Sequence, residues 1–598
     1  MDTIEKNNTG KLELILSITA ISILPFMMYL HLYDPKLEKY DWFSNQSTIM
    51  SDFFLHIKMC FIIVLGILML GVIFFNKTKK KIALTLPKIY CFLGGYLLFA
   101  ILSTVFSVNK EFSFKGSYEQ FQPIGVLITY GIMNIFTYYF INNVDSIKKV
   151  VNIWGISILI LSALGFLQFI GKDPLNSSFI KKIITPRQYW ADISEISLVT
   201  ESNRTYLTFF NPNYVGLFAA FTIPIFLVLF LKEKKWKMRL VYAFVLIGLI
   251  VCTIGSRSKN TVIAIIIPII LIIIILRNIW KNNFRVVIIG IVVSLFIILG
   301  LNAMGGNVFG KSIIQAFKVQ DPEIVLENIT MSKKGVTIQF KDSQCTIDYI
   351  LNPDNTFLFQ ITNENGDQVE NHYDVSTNSL IIDDEKYYNI SIMPVSMEDI
   401  FGFAINYNGN YWIFKKDSQN NYEYYNSVHK WTTLQTAKSI NIFPNTLFTG
   451  RGYVWNRTLP LLKETLLLGT GPDTFVITYP QDDYVSNYNQ GYENTVVTKP
   501  HSLYLQIGVE TGVLSLICFL AFYFYYFIQS LKLYWKCEFQ GNIEVYGFAI
   551  FVGTIGFMIS SIVNDSTVCV SPIFWTILGI GIGINSHLKM KIVSGING

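Results

Sequence analysis

Long blocks of apolar residues recur along the chain, and most are long enough to cross a lipid bilayer as a helix. A spanning helix needs roughly 20 apolar residues to cover a hydrocarbon layer about 30 Å thick. Such blocks occupy residues 12–33, 56–75, 86–106, 123–142, 150–170, 214–231, 240–254, 261–277, 286–304, 503–531, 545–563 and 572–587. The pattern predicts an all-α polytopic membrane protein with about 12 transmembrane helices.

Composition agrees with the pattern of apolar blocks. Of the 598 residues, 52% are hydrophobic and 15% are charged, which excludes a soluble multidomain enzyme. The seven cysteines lie mostly inside apolar blocks, and no Cys or His spacing suggests a metal site. The first block lacks a signal-cleavage pattern, so we expect it to remain a helix.

Positive charge alternates between successive connections and predicts which side of the membrane each one occupies. One set of connections, which includes both termini, holds 20 Lys and Arg residues, whereas the short connections of the other set hold 6. Cytoplasmic connections carry the excess of Lys and Arg. Both termini should therefore be cytoplasmic, and the long connections 171–213 and 305–502 should face outward.

Within the longer outer connection, residues 320–436 replace apolar blocks with a period of two, which is typical of half-buried strands. Asn365-Gly366 and Asn408-Gly409 fit two-residue hairpin turns, because both central positions tolerate positive φ. The alternation is clearest at Val336, Ile338, Phe340, Cys345, Ile347, Tyr349, Leu351, Phe357, Phe359 and Ile361. We expect an inserted, extracytoplasmic antiparallel β domain.

The predicted organisation has three parts. Residues 1–304 form transmembrane helices 1–9, residues 305–502 form the large outer loop, and residues 503–598 form helices 10–12. The outer loop contains the β insertion and a glycine-rich segment at 448–475. The insertion carries a net charge of −10 and many aromatic residues. Its acidity fits either a solvated face or a basic partner, and its rings fit either core packing or contact with sugars.

Polar residues at the outer ends of apolar blocks are candidates for chemistry, because charge at a membrane boundary is costly unless it is used. Arg257 lies in the very short connection GSRSKN at 255–260, between small residues that leave its guanidinium accessible. Asn211 and Asn213 flank a proline in FFNPNYVG at 209–216 and could cap a helix or bind a ligand.

Two further candidates lie in the second half of the chain. Arg451 stands between glycines at the start of the segment 448–475, which also contains Trp455 and the sequence GTGP. His501 follows a proline at the opening of a predicted span, where an imidazole can take a proton from a hydroxyl near neutral pH. Glu510 is half a turn out of phase with His501 in a straight helix, so it should not be its partner.

These segments, in this order, resemble the bacterial O-antigen ligases and O-antigen polymerases, which act on undecaprenyl-diphosphate-linked glycans. The resemblance covers residues from about 110 to 520. Its motifs are NPN-x-x-G before a span, SR at a short outer turn, GRG-x-x-W with a later GTG in a large outer loop, and a Pro-His pair opening the next span.

The resemblance implies a fold and a reaction. The fold would be that of an all-helical C-type glycosyltransferase, and the enzyme would be metal-independent, would use no cofactor and would invert configuration. Arg257 and Arg451 would bind the diphosphate, and His501 would be the base or would orient the acceptor. Further residues expected to contact substrate are Glu119, Arg204, Asn211, Asn213 and Trp455. One expected arginine is replaced by Gln120, and Arg187 or Arg204 could substitute for it.

The resemblance also implies partners and a location. The donor would be an undecaprenyl-diphosphate-linked glycan and the acceptor a glycan or another surface molecule. The protein would lie in the bacterial cell membrane, with polysaccharide export or chain-length proteins as further expected partners and no nucleic acid. These residues do not separate a polymerase from a ligase, because both use the same donor.

Two other functions remain open from the sequence. A metal-dependent glycosyltransferase would hold a divalent cation on acidic residues of its first outer loop, where Asp34, Glu38 and Asp41 occur. A transporter or flippase for polysaccharide or lipid-linked glycan would carry internal repeats and ionisable residues near the membrane midplane. The candidate charges cluster at the outer boundary instead, which favours chemistry at the surface.

Overall fold

The computed structural model describes residues 10–44, 49–79, 85–198, 203–277, 326–353, 356–387, 389–397 and 400–593. The helices are α1 (Lys11–Ile18), α2 (His56–Lys79), α3 (Ile89–Val105), α4 (Lys110–Lys115), α5 (Ile124–Phe140), α6 (Val144–Phe169), α7 (Ser178–Ile184), α8 (Pro212–Lys232), α9 (Trp236–Ser256), α10 (Asn260–Ile275), α11 (Leu447–Thr458), α12 (Leu461–Glu464), α13 (Phe475–Thr478), α14 (Tyr484–Gln490), α15 (Leu503–Glu510), α16 (Val513–Tyr534), α17 (Asn542–Ser560) and α18 (Ser571–Val593).

The helical part is that of a membrane protein. Among the described residues, six helices are long and apolar enough to cross a membrane, and α3, α5 and α10 are shorter apolar helices. The short predicted block at 240–254 forms part of α9, which is 21 residues long. The predicted span at 286–304 lies outside the described residues, so the count of 12 spans stays a prediction.

The bundle is assembled from neighbouring pairs of helices. Helix α8 packs on α17, α5 on α18, α6 on α9, and α3 on α16. Gly556 of α17 lets the first of these pairs approach closely, because an added Cβ would lie 2.0 Å from the carbonyl oxygen of Ala220. Large apolar side chains on the outer faces, such as Ile67, Phe74 and Phe244, are exposed, as expected for surfaces that face lipid.

The predicted single span at 503–531 is wrong, because the structure divides it into α15 and α16. The break falls at Thr511 and Gly512, where Gly512 has φ 101° and ψ 155°. This backbone conformation is essentially restricted to glycine. Helix α15 is therefore a separate element of eight residues, and its N-cap, Ser502, follows His501.

The predicted antiparallel β domain is present. Its strands are β3 (Leu326–Ser332), β4 (Gly335–Phe340), β5 (Gln344–Leu351), β6 (Phe357–Asn363), β7 (Asn371–Asp374), β8 (Ser379–Ile382), β9 (Ile390–Met397), β10 (Ile400–Tyr407), β11 (Asn410–Lys416), β12 (Tyr422–Tyr425) and β13 (Trp431–Thr432). They form a four-stranded sheet of order β3-β4-β5-β6 and a seven-stranded sheet of order β13-β12-β11-β10-β9-β8-β7. Both sheets contribute side chains to one hydrophobic core. A separate pair, β1 (His31–Tyr33) and β2 (Met50–Asp52), lies in the first outer loop.

The two predicted turns differ in outcome. Asn408-Gly409 joins β10 to β11 in a two-residue hairpin, with φ of 51° and 84° and Tyr407 opposite Asn410. A turn also forms at Asn365-Gly366, but the hairpin expected there is wrong. The turn is followed by only one isolated β-bridge, between Thr362 and Gln368, and the next strand, β7, belongs to the other sheet.

Most aromatic residues of the β domain are core residues. Tyr387, Tyr407, Trp412, Tyr422 and Tyr424 are all buried. Core packing therefore accounts for most of the aromatic density of the insertion.

The β domain is attached to the first outer loop through hydrogen bonds to backbone. Lys430 Nζ donates to the carbonyl oxygens of Glu38, at 2.6 Å, and Tyr40, at 2.9 Å. Asn426 donates to the carbonyl of Asp41 at 2.8 Å. The domain therefore contacts the helical part of the molecule at the connection that precedes α2.

Candidate active site

The stretch Thr498–Ser502 is held in place by contacts from several separate elements. Gln120 donates to the Thr498 carbonyl, and the indole N–H of Trp455 donates to the Pro500 carbonyl, both at 2.9 Å. Asp565, from the connection between α17 and α18, accepts from the Ser502 backbone N–H at 3.0 Å. Because these anchors come from distant parts of the chain, the stretch is positioned by the fold as a whole.

His501 is oriented by Asp565. Its Nδ1 lies 3.2 Å from Asp565 Oδ2, and the imidazole is 40% exposed whereas the carboxylate is 2% exposed. When Nδ1–H donates to Asp565, the lone pair is on Nε2 and can accept a proton. His501 also has φ 53°, a left-handed conformation that is uncommon for a residue with a side chain. Strain of this kind is concentrated at functional sites.

Lys499 is a buried cation two residues before this histidine. Its ammonium group donates to the Tyr214 hydroxyl at 2.8 Å and lies over the rings of Tyr214 and Phe210. Burial lowers the pKa of Lys499, but Tyr214 and the carboxylates of Glu119 and Asp565 together outweigh burial and raise it above its usual value. Lysine is almost never fully buried unless it is paired. The fold therefore maintains a fixed positive charge at this position.

Arg451 supplies a second buried cation. Its Nη1 donates to the Phe448 carbonyl at 3.0 Å, while its buried Nε has no hydrogen-bond partner within the described part of the chain. Burial lowers the pKa of Arg451, and the nearby charge of Asp565 opposes this shift, followed by Tyr492 and Tyr214. A buried donor without a partner is unusual in a folded protein and marks a place where a ligand oxygen could bind.

The backbone before Arg451 fixes where this side chain emerges. Phe448, Thr449 and Gly450 have φ of 48°, 61° and 93°, so regular helical geometry in α11 begins only at Arg451. Trp455 follows one turn later, is 5% exposed and packs against Phe443 and Phe448. Trp455 therefore supports the Pro500 carbonyl from within the protein core.

A second loop, Gly116–Gln122, contacts the same stretch from the other side. Thr498 Oγ1 donates to Glu119 at 2.9 Å. Both ends of the loop are fastened by Asp473, which accepts from the backbone N–H groups of Ser117, at 3.1 Å, and Gln122, at 2.7 Å. Burial raises the pKa of Asp473. This one carboxyl group therefore sets the position of Glu119.

Gln120 occupies the position where the resemblance leads us to expect an arginine. Its side chain is buried, donates to the Thr498 carbonyl and accepts from Gln506 at 3.2 Å, so it braces the site without adding charge. Arg187 is exposed and lies over the ring of Trp190. The cation next to the Gln120 anchor is Lys499, which the sequence did not single out.

Arg257 and Arg204 flank a neighbouring turn. Arg257 ends α9 with φ 55° and is exposed, and Arg204 Nε donates to the carbonyl of Ser256 at 3.2 Å. Gly216, in the first turns of α8, packs directly on Ser258. The turn therefore lies at the same end of α8 as Tyr214. It contacts a different face of the helix, because Gly216 is about 200° around the helix from Tyr214.

Asn211 and Asn213 lie at the start of α8. Asn211 caps the helix, because its side-chain oxygen accepts from the backbone N–H of Asn213 at 2.9 Å. Both side chains are half-buried. Asn211 therefore has a structural role, and it holds the end of α8 from which Tyr214 reaches Lys499.

The structure thus brings some of the predicted residues together and leaves others at the margin. Glu119 and Trp455 contact the stretch Thr498–Ser502, which carries His501. Arg451 lies within the electrostatic influence of Asp565 and Tyr214. Arg257 and Arg204 lie on the turn that packs against α8. Asp565, Lys499 and Tyr214 were missed. An ionisable residue in a short connection between two apolar blocks was the signal that selected Arg257, and Asp565 carries the same signal.

One comparison with known proteins finds a matching family model. Residues 400–520 match the family model described as O-antigen ligase. This match supports assigning the chain to the O-antigen ligase and polymerase family. The match includes Arg451, Trp455, Lys499 and His501. No curated protein and no solved structure matches the chain.

The O-antigen ligase match supports a ligase-like or polymerase-like role in polysaccharide biosynthesis. It starts inside the β domain and ends in α16. Glu119, Arg257 and Asp565 lie outside the matched residues, so their connection to the family's chemistry depends on where the fold places them.

Two of the acidic residues considered as metal ligands, Asp34 and Asp41, make hydrogen bonds within the protein. Asp34 accepts from the backbone N–H of Lys36 at 2.8 Å, and Asp41 accepts from Thr432 at 3.1 Å. Over the ranges that the structure describes, no group of three or more His, Cys, Asp or Glu side chains is arranged to hold a metal ion. These contacts give the metal-dependent alternative no support.

Proposed function

We propose that this protein is a membrane glycosyltransferase that transfers or polymerises an undecaprenyl-diphosphate-linked glycan on the outer face of the bacterial cell membrane. The proposal rests on one observation: two buried cations, Lys499 and Arg451, both lie within the electrostatic influence of Asp565, the carboxylate that orients His501. A site that combines fixed positive charge with a proton acceptor suits a substrate with a diphosphate leaving group.

The diphosphate determines what the cations must do. As the bond between the anomeric carbon and the phosphate oxygen breaks, negative charge grows on the leaving group, and fixed positive charges stabilise it. Arg451 can pair bidentately with phosphate oxygens, and its Nε has a donor to offer. Lys499 adds a point charge. This charge replaces the one that an arginine in place of Gln120 would have supplied.

The acceptor hydroxyl must lose its proton as it attacks the anomeric carbon. His501 takes that proton on Nε2, and Asp565 stabilises the imidazolium that results. The acceptor oxygen forms the new glycosidic bond as the lipid diphosphate departs, so the configuration at the anomeric carbon is inverted. The exposed imidazole then returns its proton to water.

The remaining candidate residues have supporting roles in this proposal. Arg257 and Arg204 bind distal phosphate or lipid-proximal groups from the turn after α9, and Asn213 adds an amide at the same end of α8. Glu119 hydrogen-bonds a sugar hydroxyl or fixes Thr498. Asn211 and Trp455 are positioning residues, because each acts through the backbone that it holds.

The proposal includes an orientation and a fold. About 12 spans, a C-type arrangement and cytoplasmic termini would place the stretch Thr498–Ser502 on the outside, where the lipid-linked glycan is delivered. The distribution of Lys and Arg supports this orientation. The reaction would need no metal or other cofactor, and polysaccharide export or chain-length proteins would act downstream on the product.

The test is reconstitution of the full chain in proteoliposomes with an undecaprenyl-diphosphate oligosaccharide and an acceptor, with products separated on a gel. A ladder of products indicates a polymerase, and one discrete shift indicates a ligase. His501→Ala should lower the rate by roughly 10²–10⁴, and Arg451→Ala by roughly 10²–10³. Full activity in both variants would refute the site.

Matched controls separate loss of chemistry from loss of folding. His429→Ala and Arg187→Ala remove an exposed histidine and an exposed arginine elsewhere and should retain activity. Arg451→Lys keeps the buried charge, and thermal unfolding of each variant reports on the fold. A transporter would instead show lipid flipping that survives His501→Ala, without a change in glycan length.

A further inference from the structure

A cavity of about 400 Å³ lies on the far side of the loop Gly116–Gln122 from His501. It is formed by the first outer loop, the start of α2, and the region from α4 to Phe121. Its volume is within the range of roughly 300–1,000 Å³ that is typical of small-ligand sites. The mechanism proposed above does not use this cavity.

Aromatic rings form much of the cavity wall. His31 and His56 stack with their ring centroids 3.4 Å apart, and Tyr33 packs edge-on against Phe121 at 5.2 Å. Phe114 lines the cavity and is 61% exposed, so its ring is accessible to a ligand. Such rings offer flat apolar faces to the C–H faces of sugar rings.

The charged groups of the cavity are already paired. Glu111 accepts from Lys36 at 2.9 Å and from Lys115 at 3.0 Å, and Asp34 lies on the same rim. The two lysines are therefore balanced by two carboxylates. A rim of this kind provides many donors and acceptors for hydroxyl groups but little net charge for a phosphate.

The loop Gly116–Gln122 joins this cavity to the candidate active site. On one side Phe121 and Tyr118 line the cavity, and on the other Glu119 and Gln120 contact Thr498. Glu119 and Phe121 have φ of 61° and 53°, so the loop holds two residues in a strained conformation. A ligand in the cavity would lie one loop's thickness from the stretch that carries His501.

We propose that this cavity binds sugar residues of the acceptor glycan and delivers its reacting hydroxyl toward His501. The inference rests on the proposed function, and it assigns a second substrate region. The donor is held through its diphosphate by Lys499 and Arg451. The reacting end of an acceptor has no phosphate for such an anchor, so an uncharged aromatic cavity is the kind of site that can hold it.

The test measures sugar binding directly. Oligosaccharides released by mild acid from the surface polysaccharide of the source strain are added to the full-length protein in nanodiscs, and binding is followed by saturation-transfer NMR. Phe114→Ala and Tyr118→Ala should each weaken binding about tenfold. Phe179→Ala removes another exposed phenylalanine, in a different outer loop, and should leave binding unchanged.

Two further arms separate this inference from the proposed function. His501→Ala should bind the oligosaccharides as the wild type does while forming no product, and inorganic diphosphate should not compete. Unchanged binding in both cavity variants, no binding by the wild type, or competition by diphosphate would each overturn the inference. A wild type that binds oligosaccharide but never lengthens or transfers a glycan would instead refute the proposed function.

Discussion

Asp565 performs two tasks with its two carboxylate oxygens. One oxygen orients the His501 ring, and the other accepts from the Ser502 backbone N–H. Asp565 therefore orients the His501 imidazole and also fixes the backbone at the next residue, Ser502. Neither task is visible in the sequence around His501, because 64 positions separate the two residues.

Asp565→Asn tests the orienting task. The amide can still accept from Ser502, but toward His501 it presents an N–H, which favours the tautomer with the proton on Nε2. We expect the single-turnover rate to fall about 10²-fold, at the lower end of general-base contributions, with thermal unfolding little changed. Asp383→Asn is the matched control, because Asp383 pairs with His372 on the exposed surface of the β domain. Equal rates in the two variants would contradict the role of Asp565.

His31 gives an expectation for pH. Burial lowers the pKa of His31 below its ordinary 6.5, and the charge of Asp52 opposes this only partly. The unfolded chain therefore takes up a proton first as the pH falls, so the neutral histidine supports the fold above about pH 6.5 and this support is lost below it. The melting temperature should fall between pH 7.5 and 5.5, and should fall less in His31→Phe. The exposed His429→Phe should behave as the wild type does, and an identical fall in all three would exclude His31 as the cause.

At the level of residues, the sequence pointed to the groups with unusual surroundings and missed those defined by contacts. Arg451 and His501 stand beside glycines and a proline, which mark them locally. Lys499 acquires its role from Tyr214, on a helix 285 positions away, and its fixed charge depends on that packing. Such contacts across the fold leave no pattern in a single sequence.

Among the elements, α15 and α16 depend on one glycine. Gly512 separates them in a backbone conformation that other residues avoid, and an added Cβ would lie 2.9 Å from the Leu467 carbonyl oxygen. The break ends α15 after two turns, which lets the connection from α12 pass beside it, where Thr470 and Gly471 hydrogen-bond to its last residues.

Gly512→Ala should therefore lower the melting temperature and reduce activity. Gly491→Ala is the matched control, because Gly491 also has positive φ, at 70°, but nothing lies within 4 Å of its added Cβ. The control should lower the free energy of unfolding by about 1–2 kcal/mol, the cost of a left-handed conformation alone. Gly512→Ala should lower it by more. A smaller loss in Gly512→Ala than in the control would show that the break tolerates a side chain.

The elements themselves were largely predictable, because hydropathy and period two record burial directly. Within the described residues most apolar blocks became helices, and the alternation around Val336 and Ile347 became strands with those side chains inside. The block at 12–33 is an exception, because only α1 (Lys11–Ile18) is regular α-helix there and the block ends in β1. The break at Gly512 lies within a continuous apolar block, where hydropathy does not register backbone φ. The crossing from β6 to the other sheet was also hidden, because alternation does not specify which strand pairs with which.

For the whole molecule, the distribution of basic residues makes a prediction about orientation. Ser376 is exposed in the β domain, and Lys235 is exposed in the connection between α8 and α9. In intact cells, a membrane-impermeant maleimide should label Ser376→Cys, and it should label Lys235→Cys only after lysis. The wild type, with its seven native cysteines, gives the background. The reverse pattern would place the candidate active site on the cytoplasmic side.

The fastening of the loop Gly116–Gln122 to Asp473 has a consequence for engineering. Both ends of the loop depend on one side chain outside it, whereas the residues between those ends face the two regions assigned to the substrates. The intervening residues other than Gln120, which braces Thr498, can therefore be exchanged with Asp473 left in place. Libraries confined to residues 118, 119 and 121 would be the most economical route to a variant that accepts a different polysaccharide.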